Sequence, residues 1–172
     1  GLQVDHIKNI VIPGGIDLII TADCGSWSYD AVLAAQKVGV EVIITDHHEV
    51  PVDPPPALVF INPKRPGESA DFIDLAGVGV AFNLIIGLRK YLRDINFWQV
   101  RSQPMLKPFC DIVALGTVAD AVPLTTDNRI MTHTGIGLMR TRPLRPGLKA
   151  LFEQSRIDPR FIDSDDIAYR LA

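Results

Sequence analysis

Two short apolar runs, each ending in an acid, constrain this chain more than any other feature. Ile16 to Ala22 leads into Asp23, and Val40 to Thr45 leads into Asp46. Both runs are rich in β-branched residues and bounded by turn formers, the pattern of buried strands. Between them, Ser26 or Ser28 can cap a helix whose inner face carries Val32, Leu33 and Ala35, and Gly39 is placed to end it. Strand, helix and strand at this spacing make a right-handed crossover, so the strands are parallel neighbours. Their carboxyl ends then share the edge where open α/β sheets build their sites. Topology alone therefore brings Asp23 close to Asp46-His47-His48.

The remaining pattern extends this frame. Val4, Ile7 and Ile10 have helical spacing ahead of Pro13-Gly14-Gly15. A proline-rich loop over 50–56 precedes a third short strand, Leu58 to Ile61, closed by Asn62-Pro63. A polar loop follows over 62–74. Gly77 and Gly79 open a helix that runs to Tyr91, and they suit either close helix packing or the approach of a phosphate. Residues 92–104 read as a linker. An apolar helix over 106–118 leads to Asp120, and further helices are expected over 128–139 and 148–154. The fold class is α/β, a parallel sheet of βαβ units followed by a mostly helical part, within one domain.

Composition narrows the function. The 172 residues are 47% hydrophobic and 22% charged, enough for a sizeable core. No apolar run approaches the ~20 residues that span a bilayer. No basic start followed by an apolar stretch marks a secretory leader. Cys24 and Cys110 form no paired motif and read as free thiols in a reducing cytoplasm. The net charge of −3 argues against passive coating of nucleic acid through phosphates. It does not argue against a nuclease, because bound divalent cations invert the charge of an acidic cluster. Both ends read as the interior of a longer polypeptide.

The chain has only four histidines, and two stand side by side behind Asp46. Imidazole is the commonest nitrogen ligand for a metal, and a neighbouring acid can ligate or orient the ring. Asp23, Asp46-His47-His48 and Asp120 thus form a candidate constellation. Carboxylates and imidazole without thiolate suit Mn²⁺ or Mg²⁺. Such ions activate water and neutralise charge at a phosphoryl centre.

Four segments resemble a known family. They are Asp17 to Gly25, Thr45 to Glu49, Leu75 to Phe82 and Val113 to Leu124. Asp46-His47-His48 is similar to the signature of the DHH phosphoesterase superfamily. The order and spacing of all four resemble its RecJ family of single-stranded-DNA-specific exonucleases, over about Ile16 to Arg145. The resemblance implies a 5′→3′ exonuclease acting in DNA repair and recombination, with two Mn²⁺ or Mg²⁺ ions. It implies that Asp23 bridges metal ions, that His47 and Asp120 ligate them and that His48 faces the scissile phosphate. Asp46 supports from behind. Gly77 and Gly79 fall in a segment near substrate, and Cys24 replaces the family's usual asparagine. The implied partners are single-stranded DNA, a single-strand-binding protein and a helicase, in the cytoplasm and away from membranes. The family's upstream Asp-x-Asp motif and its downstream DHH-associated and oligonucleotide-binding domains lie outside residues 1–172. The chain then reads as a partial phosphoesterase domain with weak metal binding and low activity by itself.

Plainer readings stand beside these. Asp23 can cap the following helix, and Asp120 can be a helix-end residue. Asp5 and Asp111 read as solvated or capping residues, and His6 and His133 as surface or satisfied polar groups. Arg140, Arg142, Arg145 and Lys149 are a solvated basic stretch or a phosphate track in which Arg142 and Arg145 touch substrate. Trp27 and Trp98 read as core or interface residues before base-stacking ones. Two other functions remain open: a phosphoesterase of short oligonucleotides, cyclic dinucleotides or pyrophosphate, and a non-catalytic scaffold.

Overall fold

The structure is a computed structural model that describes residues 1–67 and 70–171. Residues 68 and 69 of the expected polar loop, and Ala172, lie outside the described residues. The chain divides into two compact units, Gly1–Ala81 and Phe82–Ala172.

The first unit is built on three strands, β1 (Leu18–Ala22), β2 (Glu41–Thr45) and β3 (Val59–Ile61). They lie in the order β1-β2-β3, and both pairings are parallel. Ile20 pairs with Ile43, and Ile43 with Val59. The expected crossover is present. A short helix α1 (Val4–His6) widens into a turn over Ile7–Val11, in which the Ile12 amide reaches back to the Ile7 carbonyl. Helix α2 (Tyr29–Lys37) connects β1 to β2. Ile7, Val11, Val32, Ala35, Val40, Val42 and Ile44 form the core between these helices and one sheet face.

Two details of α2 differ from expectation. Ala31 is buried beside Val32 and Ala35, while Leu33 is only half-buried. Ser28 occupies the N-cap position without a side-chain bond, and Ser26 is turned toward the sheet edge instead. Gly39 ends the helix as expected, at φ +78°, its amide bonded to the Gln36 carbonyl.

Helix α3 (Gly77–Asp94) extends three residues past its expected end and crosses the boundary between units. The second unit continues through a 3₁₀ turn (Phe97–Val100) inside the expected linker. It is completed by α4 (Cys110–Ala119), α5 (Thr126–Thr141), α6 (Pro146–Ser155) and α7 (Ser164–Asp166), the last running on into a wide turn over Ile167–Leu171. Ala114, Met139, Phe152, Ile162 and Ile167 are at its core. No helix among the described residues is long and apolar enough to cross a membrane.

Three plain readings are corrected here. Asp111 is buried, not solvated, and accepts from Arg145 Nε at 2.7 Å. The reason is local. Arg145 also donates to the Pro108 carbonyl and lies over the Phe109 ring, so its guanidinium brings a counter-charge into the apolar seam. Trp27, in the turn before α2, is 70% exposed and not core. The core reading of Trp98 holds only in part, with the indole nitrogen buried in a half-exposed residue.

The tightest packing is between α4 and α5. A Cβ at Gly135 would run into the Cys110 carbonyl and come within 2.5 Å of the Ala114 Cβ. Rigid backbone on one side cannot yield as a flexible side chain would. Gly135→Ala is expected to destabilise the second unit by about 1–3 kcal/mol, read as a lowered midpoint in urea unfolding of the chain.

Candidate metal centre

The sheet ladder itself assembles the site. Beyond the last paired residue of β1, the Asp23 amide bonds to the Thr45 carbonyl at 3.0 Å. Beyond β2, the Asp46 amide bonds to the Ile61 carbonyl at 3.0 Å. Each strand thus hands its terminal acid to the strand beside it, and the carboxyl edge carries Asp23, Asp46 and Asn62 in a row.

Asp23 leaves the ladder in the left-handed region, at φ +59°. Asp is among the few non-glycine residues that tolerate this. The turn aims Asp23 Oδ1 at His47 Nε2, 3.2 Å away. The His47 side chain is 11% exposed and that of Asp23 55%, so the pair runs from the core outward. Asp23 does not cap α2, whose N-cap is Ser28.

Gly77 is what gives Asp23 this place. A Cβ on Gly77 would overlap the Asp23 carboxylate and lie 2.6 Å from its Cβ. The group that approaches this glycine is a side chain, that of Asp23. Gly79 is buried one residue beyond Val78 in the first turn of α3.

Asp46 is 1% exposed. Its Oδ2 accepts from the Ser26 amide at 2.9 Å, and its Oδ1 from the His47 amide at 2.8 Å. Oδ1 also lies 2.7 Å from His48 Nδ1. Burial pushes this carboxyl up, but the bonds from His48, from the Ser26 amide and hydroxyl and from the His47 amide outweigh it and hold the pKa at about 2. An ionised carboxylate only accepts, so His48 Nδ1 carries the proton and Nε2 is the remaining ring nitrogen. The His47 and His48 rings sit 4.7 Å apart, tilted by 59°.

Asp23, His47 and His48 offer one ligand atom each within 4.8 Å of one another, the one such group among the described residues. Donors each about 2.1 Å from one ion lie at most about 4.2 Å apart, and the 3.2 Å between Asp23 and His47 is inside that reach. One carboxylate and buried imidazole, without thiolate, fit Mn²⁺ or Mg²⁺. The room that Gly77 leaves for Asp23 is consistent with that fit.

Asp120 belongs to the second unit. It is exposed at the C-cap of α4, its amide bonded to the Gly116 carbonyl. A carboxylate there meets the negative end of the helix dipole and gains nothing from it. The next residue, Ala121, is held at φ +54°, a strained turn. Arg142 is exposed at the end of α5, and Arg145 is pinned by Asp111. His6 is exposed, its Nδ1 accepting from the Gln3 amide, and His133 is exposed on α5.

Sequence reasoning passed over two residues. Ser26 stood as a possible helix cap and Asn62 as the close of a strand, yet both are buried against the tripeptide. The available signal was the parallel with β1 and β2: Asn62 is the polar residue that follows a strand, as Asp23 and Asp46 are.

A model of the DHH family, N-terminal domain, matches residues 3–117. The single-stranded-DNA-specific exonuclease RecJ of Salmonella typhimurium is 44% identical over 160 residues, covering 91% of this chain and 28% of that protein. The Escherichia coli protein of the same description is 42% identical over the same shares. A crystal structure of RecJ in complex with Mn²⁺ from Thermus thermophilus superimposes with a TM-score of 0.76. It is 28% identical, and the match covers 98% of this chain and 23% of that one. The chain therefore spans a little over a quarter of the length of these curated relatives.

Two expectations follow from the geometry. Gly77→Ala pushes Asp23 off its position, so Mn²⁺ affinity falls about 10-fold or more, and the contact with the Asp23 Cβ lowers the melting temperature as well. Calorimetric titration and thermal unfolding of the same sample separate the two. The second concerns acid. The Asp46 pKa is depressed in the fold, so its contribution is fully present above the ordinary carboxylate value of 3.8 and is lost as pH falls through about 2. Chelator-treated chain should lose roughly 2 kcal/mol across that window, and the loss should be absent in Asp46→Asn.

Proposed function

Because the chain belongs to the DHH family, we propose that it is a partial DHH phosphoesterase domain of a metal-dependent nuclease. That nuclease hydrolyses phosphodiester bonds of single-stranded DNA from the 5′ end, in repair and recombination within the cytoplasm. The observation that carries this reading is the Asp23–His47 pair at the carboxyl edge of the sheet, with His48 held beside it by Asp46. Supporting it are the curated relatives described as single-stranded-DNA-specific exonucleases and the similar structure solved with Mn²⁺.

Asp23 and His47 would hold Mn²⁺ or Mg²⁺, with Asp120 as a further carboxylate donor and two ions in the complete site. Bound ions supply Lewis acidity and an activated water. His48 presents Nε2 to the phosphate and steadies the charge that develops on its oxygens. Asp46 orients that ring by accepting from Nδ1. Gly77 leaves room for Asp23, and Gly79 keeps the start of α3 open to the phosphodiester. Arg142 adds positive charge for the strand's phosphates, and Arg145 adds what its pairing with Asp111 leaves. A single-strand-binding protein and a helicase are the partners such an enzyme would work with.

The residues proposed here are too few for a complete two-ion site, so the isolated chain is expected to bind Mn²⁺ weakly and digest DNA slowly. The test compares whole protein, isolated chain and whole protein with Asp23→Ala on 5′-phosphorylated single strands and on dinucleotides in Mn²⁺. Whole protein should degrade long strands, and Asp23→Ala should lower the rate by at least about 100-fold, the range seen when a group essential to transition-state stabilisation is removed. Undiminished activity in Asp23→Ala overturns the reading. Turnover confined to dinucleotides replaces it with a small-molecule phosphoesterase.

A further inference from the structure

Asn62 lies 3% exposed at the end of β3, and its carboxamide bonds to the segments that follow all three strands. Its Nδ2 donates to the His48 carbonyl at 2.9 Å and to Ser26 Oγ at 3.0 Å. Its Oδ1 accepts from the Lys64 amide at 2.8 Å. Two of these partners are backbone groups of fixed polarity. Turning the amide over would set Oδ1 against the His48 carbonyl and Nδ2 against the Lys64 N–H, two acceptors and two donors face to face. The orientation is therefore determined by chemistry and not by convention.

The polarity then propagates. Ser26 is 0% exposed, and its Oγ accepts from Asn62, so its own proton goes elsewhere. Asp46 is the acceptor, already bonded to the Ser26 amide at 2.9 Å. Asp46 in turn accepts from His48 Nδ1. The result is a network across all three strand ends whose donors converge on Asp46, from the Asn62 amide through the Ser26 hydroxyl on one side and from the His48 ring on the other. A second bond runs from Asn62 directly to the His48 backbone. The Asn62, Ser26 and Asp46 part of this network is buried, and such groups hold a geometry tightly because each is satisfied only in one arrangement.

We infer that Asn62 is a positioning residue of this site: through Ser26 and the His48 carbonyl, its fixed carboxamide sets the orientation and proton placement of the His48 imidazole. Asn62 touches neither the candidate ligands' donor atoms nor the place where a phosphate would sit. Its effect is on which ring nitrogen of His48 meets the substrate. The inference rests on the proposed role of His48, and its physical content stands apart from activity.

The experiment uses Asn62→Asp, which keeps the shape and removes both donated bonds. A carboxylate at that position draws the Ser26 proton away from Asp46 and repels the His48 carbonyl. Nitrogen-15 and proton spectra of the histidine rings are recorded on the metal-free 172-residue chain. The unchanged chain should show a slowly exchanging Nδ1 proton on His48. In Asn62→Asp that proton should exchange at least about tenfold faster, or the ring should populate the Nε2-protonated form. In the whole protein, kcat on single strands should fall about 10–100-fold, the usual effect of losing a partner behind a site histidine, with KM within about twofold. Ser26→Ala, which deletes one hydroxyl of the same network, is measured alongside and decides the matter if Asn62→Asp does not fold. Wild-type ring spectra and exchange in the folded variants overturn the inference. A whole protein whose rate is indifferent to His48→Ala would instead overturn the functional reading, while the ring spectra would still judge Asn62.

Discussion

The site depends on one buried charge. Asp46 is ionised at the sheet edge, and a carboxylate in that position is tolerable only when donors surround it. The amides of Ser26 and His47 and the ring of His48 do so. Ser26 lies in the loop after β1, and the histidines lie in the loop after β2. Satisfying Asp46 therefore locks two loops together and fixes both imidazoles as a consequence. The acid at the head of the tripeptide acts as the organising centre for the two imidazoles that follow it.

The ladder bonds ease the formation of this arrangement. Asp23 and Asp46 each continue hydrogen bonding one residue beyond their strand, so backbone donors at the edge are satisfied before any side chain is placed. What remains is local strain, the positive φ at Asp23, which sets the direction of one carboxylate. A glycine at position 77 is required for the same carboxylate from the opposite side. Strain and close approach thus converge on Asp23.

Much of this was legible in the sequence, for a physical reason. Apolar β-branched runs separated by an amphipathic helix admit few topologies, and parallel connection puts the terminal acids together whatever the side chains do. The edge and the nearness of Asp23 to Asp46-His47-His48 followed from that, while the separate roles of His47 and Asp46 came from the family resemblance. Asn62 and Ser26 were hidden because asparagine and serine at element ends have common local uses, and only coordinates show that these two bond across strands. The Asp111–Arg145 pair was hidden because the partners are far apart in the chain, and a charged residue in an apolar helix has no pattern that announces its counter-ion. Gly77 was readable as a place of close approach, but the identity of the approaching group was not.

The most direct test of this account is where an ion sits. Crystals of the 172-residue chain soaked in Mn²⁺ and measured near the manganese absorption edge give that position by anomalous scattering. The account predicts a peak bonded to Asp23 Oδ1 and His47 Nε2, about 2.1 Å from each, with His48 Nδ1 still on Asp46. A peak bonded through His48 Nδ1 with the Asp46 bond broken, or bound manganese that leaves His47 uncoordinated, would contradict it.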